Sequence, residues 1–205
     1  MQGRLILGRS PLKWPILCTA GTAVIVFYCI FTFTSLALFP TPYTPVKNWM
    51  SDLGNSSYNP KGAAVYNIGC IITGLALFPF YAGVHEWYTD ERWRKRLLIG
   101  AQIFGFTSAF ALIMIGVFSE DYLAQHIFWT QVFYITILVV LILANISLLT
   151  HPHFMRPIGY YGFAVALINL GFTISFAPLF EWSTTFTALG YVGLLAHNTF
   201  KAFGN

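Results

Sequence analysis

Six apolar runs, at roughly 15–39, 62–84, 97–118, 126–149, 158–180 and 184–203, fill most of this chain and leave only short links between them. A hydrocarbon layer about 30 Å thick takes roughly twenty residues of α-helix to cross, at 1.5 Å per residue. Within it each backbone N–H and C=O needs a partner, so lipid accepts only helices and closed barrels. The expected fold class is all-α: a polytopic membrane protein whose residues 1–205 form a single six-transmembrane-helix bundle. Charge supports this, since only 9% of residues are charged, against about a quarter in a soluble domain. The sixth run is the least apolar, with Thr184, Thr185, Thr187, His197 and Asn198. The first is too long for the apolar part of a cleavable leader.

Basic residues set the expected orientation. Arg4, Arg9, Lys13, Arg92, Arg94, Lys95, Arg96, Arg156 and Lys201 fall on one side of such a bundle, and Lys47 and Lys61 on the other. Nine against two places both termini in the cytoplasm of a cell-membrane, multi-pass protein. The formal charge of +4 is thus a topology signal and not a nucleic-acid surface; membrane lipids are the expected partners. Cys18, Cys29 and Cys70 all sit inside apolar runs, where a thiol acts as a small hydrophobe; no disulfide framework is expected.

Small residues mark where helices approach in lipid. Ala63, Asn67, Cys70 and Gly74 form such a stripe in the second run. Gly105, Ala109, Leu112 and Gly116 do so in the third, and Gly162, Ala166, Asn169 and Thr173 in the fifth. Spacings of four and three keep each set on one face, so runs two, three and five are expected as neighbours. Pro79 and Pro178 are expected to bend runs two and five.

The main polar interruption is "NWMSDLGNSSYNPKG" at 48–62, on the expected outer side. Ser51 and Asp52 suit a capping or Asx-type turn, and Asn59-Pro60 opens the next helix. Residues 40–61 are expected to fold as a lid over the outer mouth. The outer side holds Asp52, Glu120, Asp121 and Glu181 with a single histidine, His126. A carboxylate beside an imidazole orients it and makes it a better proton acceptor. His126, Asp52, Asp121 and Glu120 are therefore the candidate catalytic set, with a carboxylate expected about 2.6–3.2 Å from a His126 ring nitrogen. Ser51, Asn55, Asn67 and Asn169 are the candidate ligand-binding residues.

This outer set is poor in the nitrogen and sulfur ligands that zinc prefers. The inner histidines, His85, His151, His153 and His197, include no pair one helical turn apart on a late helix, as ceramidase-like hydrolases have; no metal site is assigned. No cofactor motif occurs: there is no phosphate loop, no G-x-S-x-G elbow and no H-E-x-x-H.

"YTPVKNWMSDLGNSSYNPKGAAVYNIGCIITG" (43–74) and "LIMIGVFSEDYLAQHIFWTQVFY" (112–134) resemble a family of small six-span archaeal and bacterial membrane proteins, domain of unknown function 998. The matching positions are Ser51, Asp52, Leu53, Gly54, Asn59, Pro60, Asn67, Gly69, Gly116, Phe118, Asp121 and His126. Ser119 departs from the pattern, where proline is usual. The resemblance implies architecture and a shared site but no activity, so whether the chain is an enzyme stays open. Two functional expectations follow. One is an outward-facing acid/His pocket that binds, and could process, a lipid headgroup or other small polar ligand. The other is a non-catalytic subunit of a membrane complex, or a small carrier, whose polar groups are structural.

Overall fold

The computed structural model describes residues 14–204. Arg4, Arg9 and Lys13, counted above for orientation, lie outside the described residues. Six long helices follow one another: α1 (Ile16–Ala37), α2 (Ala63–Gly83), α3 (Arg92–Val117), α4 (Leu123–Leu149), α5 (Arg156–Ser175) and α6 (Pro178–Phe203). Five of them, α1 to α5, are long and apolar enough to cross a membrane. The protein is an all-helical membrane protein. Isoleucines, leucines and phenylalanines such as Ile30, Phe104, Ile135, Leu167 and Ile174 stand exposed along the helix surfaces, as side chains facing lipid must.

Each helix packs on its neighbours in sequence, and α6 closes back on α1, so the six form a ring. The ends of the described chain meet at one rim, where the Trp14 and Phe200 ring centroids are 5.1 Å apart. That basic end is sealed by Trp87. Its indole nitrogen donates to the Thr199 hydroxyl at 2.9 Å, and it takes His151, Phe154 and Phe203 edge-on. α3 starts at Arg92, earlier than its apolar run, because its basic first turn stays helical; there Arg94 pairs with Glu91 at 3.1 Å.

The stripes of α2 and α3 face one another. A methyl on Gly116 would lie 2.4 Å from the Asn67 carbonyl oxygen, and one on Gly74 would lie 2.9 Å from the Ala109 carbonyl oxygen. Here glycine lets two backbones touch, which is how helices associate when lipid supplies no hydrophobic drive. The fifth stripe has another partner. Gly162 meets Asn145 of α4 and Tyr191 of α6, and α5 packs between those helices, so it is not a close neighbour of α2 and α3. A stripe shows that a helix is approached closely but not by which one.

Pro178 also differs from expectation. Phe176 adopts a left-handed conformation (φ 45°) and ends α5. Pro178 then starts α6, a first-turn position where its missing N–H costs nothing. The consequence is that Glu181 sits in the first turn of α6 and not in a link. Pro79 does lie inside α2.

Candidate functional site

Residues 40–61 pack against α1, α2, α6 and the turn at 120–122, closing the rim opposite Trp87. The segment is held by its own polar side chains. In the short 3-10 turn Met50–Gly54, Asp52 is buried and its Oδ2 accepts the Trp49 N–H at 3.0 Å. Burial pushes the Asp52 carboxyl above the usual aspartate value, while hydrogen bonds from Asn48 and the Trp49 N–H pull it back. Asn55 Oδ1 accepts the N–H groups of Ser57 (2.9 Å) and Tyr58 (3.3 Å), an Asx turn. Tyr43 donates its hydroxyl to the Trp49 carbonyl.

Asn59, wholly buried, is the fastening point. Its Nδ2 donates to Ser35 Oγ (2.9 Å), the Ser35 carbonyl (3.2 Å) and the Leu53 carbonyl (3.0 Å); its Oδ1 accepts the Gly62 N–H at 3.1 Å. One side chain thus ties α1, the turn and the start of α2. Asn67 donates to the Gly54 carbonyl at 2.9 Å. Asp121 anchors the far edge: its Oδ1 accepts the Ser56 N–H (3.0 Å) and hydroxyl (2.9 Å), and its Oδ2 accepts the Ser119 hydroxyl (3.0 Å).

Under this cap lies an acid that the candidate set left out. Glu181 is 6% exposed, and its Oε2 accepts the Met50 N–H at 2.7 Å. Asp52 and Glu120 are both within electrostatic reach of it. Glu120 is half-buried beside Asn55 and Ser51, with Oε2 enclosed and unpaired. No basic side chain among the described residues comes within 4 Å of these acids; the ion pair there, Arg94–Glu91, is at the other rim. The sequence signal for Glu181 was an acid between the apolar pair Leu179-Phe180 and Trp182 at the start of the sixth run.

His126 behaves differently from the expected dyad. It is buried, and its Nδ1 pairs with the Phe118 carbonyl at 2.9 Å; no carboxylate oxygen lies within 4 Å of its ring. The last carbonyls of a helix have no partner within it. Phe118 is the residue on which α3 ends, and His126, one turn into α4, satisfies it. Asn169 is also apart from the cap. It lies wholly buried on α5, with both amide atoms unpaired. Among the described residues, no three histidines, cysteines or acids gather closely enough to hold a metal.

Below the cap, the ring encloses a cavity of about 100 Å³ between α1, α2, α3, α4 and α6. Its wall toward the cap carries hydroxyls from Tyr28, Thr73, Tyr134, Thr184 and Thr185. Toward the basic end it is lined by Leu77, Phe80, Val84, Leu141 and Leu195. Most of the hydroxyls on the wall are already paired: Tyr28 with Met50 Sδ (2.8 Å), Tyr134 with Thr185 (3.2 Å), and, deeper, Tyr81 with Ser108 (3.1 Å) and Tyr191 with Asn145 (3.0 Å), which leaves Thr73 and Thr184. The cavity is therefore almost wholly apolar, with the unpaired Thr73 and Thr184 as its polar points.

Residues 22–198 match the model of a family described as "Protein of unknown function (DUF998)", and the chain belongs to that family. No curated protein and no solved structure matches it.

Proposed function

We propose that this protein binds a small amphiphile in the centre of its helix ring. The apolar part occupies the cavity, and the polar end lies beneath the cap, toward Glu181, Asp52 and Glu120. The observation that carries this reading is the size of the cavity, apolar but for the unpaired Thr73 and Thr184. Protein interiors are close-packed, and voids larger than a water are few. A void of about 100 Å³ far exceeds the roughly 10–15 Å³ that one water needs. Ligand sites are concave, mostly apolar and given direction by a few polar groups, and this wall has that composition.

Binding is better supported than chemistry. His126 was the candidate general base with a carboxylate partner, and no carboxylate oxygen among the described residues lies within 4 Å of it; its Nδ1 faces the Phe118 carbonyl instead. In this reading His126 and Asp121 hold the rim together, and Asn55 and Asn67 hold the cap. Glu181 lies one turn above the wall residue Thr184, and Glu120, Asp52 and Ser51 stand beyond it in the turns that cover the cavity.

The test is native mass spectrometry of the protein released from its own membrane, compared with Ala144→Phe. Ala144 lines the cavity, and a phenyl ring there fills it. A bound molecule present in the wild type and lost in Ala144→Phe is expected. Identical bound molecules in both proteins would overturn the reading. Ala144→Leu, a smaller increment, serves if the phenyl variant fails to fold.

A further inference from the structure

Thr73 and Thr184 are 2% and 1% exposed, and neither hydroxyl has a hydrogen-bond partner. The Thr130 hydroxyl on α4 is likewise unpaired but is not on the cavity wall. Threonines inside helices normally bond back to the carbonyl four residues earlier, and Thr22, Thr107, Thr173 and Thr199 all do so. Thr73 and Thr184 instead stand on the cavity wall with their hydroxyls unused. A buried hydroxyl left unpaired is costly. Two on one wall mark where a bound molecule places hydrogen-bonding atoms.

Glu181 lies one helical turn from Thr184 toward the cap, within electrostatic reach of Tyr28 and Tyr134 on the same wall. The charge balance there is one-sided. Asp52 and Glu120 lie within electrostatic reach of Glu181, none of the three has a basic side chain within 4 Å among the described residues, and Lys47 and Lys61, on the same side of the bundle, are exposed. A phosphate or carboxylate brought beneath the cap would find no cation among the described residues to pair with, and a buried anion left unpaired is strongly disfavoured. A hydroxyl can donate to a carboxylate and accept from a threonine, and an ammonium adds the missing positive charge.

Resting on the amphiphile reading above, we infer that the cavity selects a neutral alcohol or an amine and rejects anionic amphiphiles, with Thr73, Thr184 and Glu181 as the selecting residues. Headgroups bearing phosphate are excluded by the same rule. Asn169 extends the polar layer. Gly162 on α5 faces Tyr191 on α6, and two turns further along both antiparallel helices Asn169 comes level with Thr184. It is not on the cavity wall, and no hydrogen bond joins it to Thr184.

The experiment uses the protein in phosphatidylcholine nanodiscs with four eight-carbon probes: 1-octanol, octylamine, octanoate and octyl phosphate. The readout is the saturable shift of the thermal unfolding midpoint, minus the shift in Ala144→Phe, which removes partitioning into lipid. Octanol and octylamine are expected to bind at least about ten-fold more tightly than octanoate or octyl phosphate. Thr184→Val is expected to weaken octanol about ten-fold, and Glu181→Gln to narrow the gap between octylamine and octanoate. Octanoate binding as tightly as octylamine, or Glu181→Gln shifting all four probes alike, overturns the selectivity. Saturable binding by none of the four overturns the amphiphile reading itself, and the selectivity falls with it.

Discussion

Asn59→Ala is expected to loosen the cap by about 3 kcal/mol. Asn59 is fully buried and makes four hydrogen bonds, three from Nδ2 and one to Oδ1. Each is worth about 1 kcal/mol net. The partners are not all orphaned by the change, since Ser35 Oγ also donates to the Leu53 and Gly62 carbonyls, and the Gly62 N–H also reaches the Asn59 backbone carbonyl. That redundancy keeps the loss near the lower end of what four bonds and a vacated side chain would give. Asn59→Asp is expected to be worse than alanine. It keeps one acceptor but turns a carboxylate oxygen toward three other oxygens with no hydrogen to offer. The assay is hydrogen exchange across residues 48–62 in detergent micelles, with unfolding by dodecyl sulfate as the global measure. A loss of about 3 kcal/mol raises the opening equilibrium roughly a hundred-fold, confined to the cap and the first turn of α2. The reasoning fails if Asn59→Ala exchanges like the wild type, or if Asn59→Asp is as stable as the wild type.

Gly116→Ala places a methyl 2.4 Å from the Asn67 carbonyl oxygen, so α2 and α3 must separate; a loss of about 1–3 kcal/mol in dodecyl sulfate unfolding is expected. His151, buried against Trp87, has its pKa lowered to about 4, chiefly by burial and then by His153 and Arg94. Its folded value lies below the ordinary 6.5, so the unfolded chain takes up the proton first. The stability it supports is complete above about 6.5 and is lost as pH falls toward 4. His151→Phe should flatten that limb of a stability–pH profile while keeping the edge contact with Trp87. Ser57, exposed on the cap, reports orientation: Ser57→Cys should react with a membrane-impermeant maleimide on intact cells. Reaction only after permeabilisation would reverse the sidedness drawn from the lysines and arginines.

Lipid makes demands that are local in sequence, and those demands made the helices legible. Long apolar runs had to be helical because backbone groups in hydrocarbon need partners within reach. The turn at 48–62 was legible for a similar reason: Asp52 caps the N–H three residues back, and Asn55 bonds two and three residues ahead. The facing stripes of α2 and α3 could be read because adjacent antiparallel helices joined by a short link must pack together.

Tertiary structure decided which long-range partner each polar group took. Glu181 meets Met50 across 131 positions, a pairing that appears only once α6 closes the ring onto α1 and the cap. His126 was the sole outer histidine, and composition made it look like half of a dyad. The nearest unmet acceptor was instead the Phe118 carbonyl at the end of α3. A helix terminus leaves its carbonyls unpaired wherever it stops, and only the packed turn shows which side chain reaches them. The cavity was invisible for the same reason. Its wall draws scattered residues from five helices, and no stretch of sequence records the space that their assembly leaves unfilled.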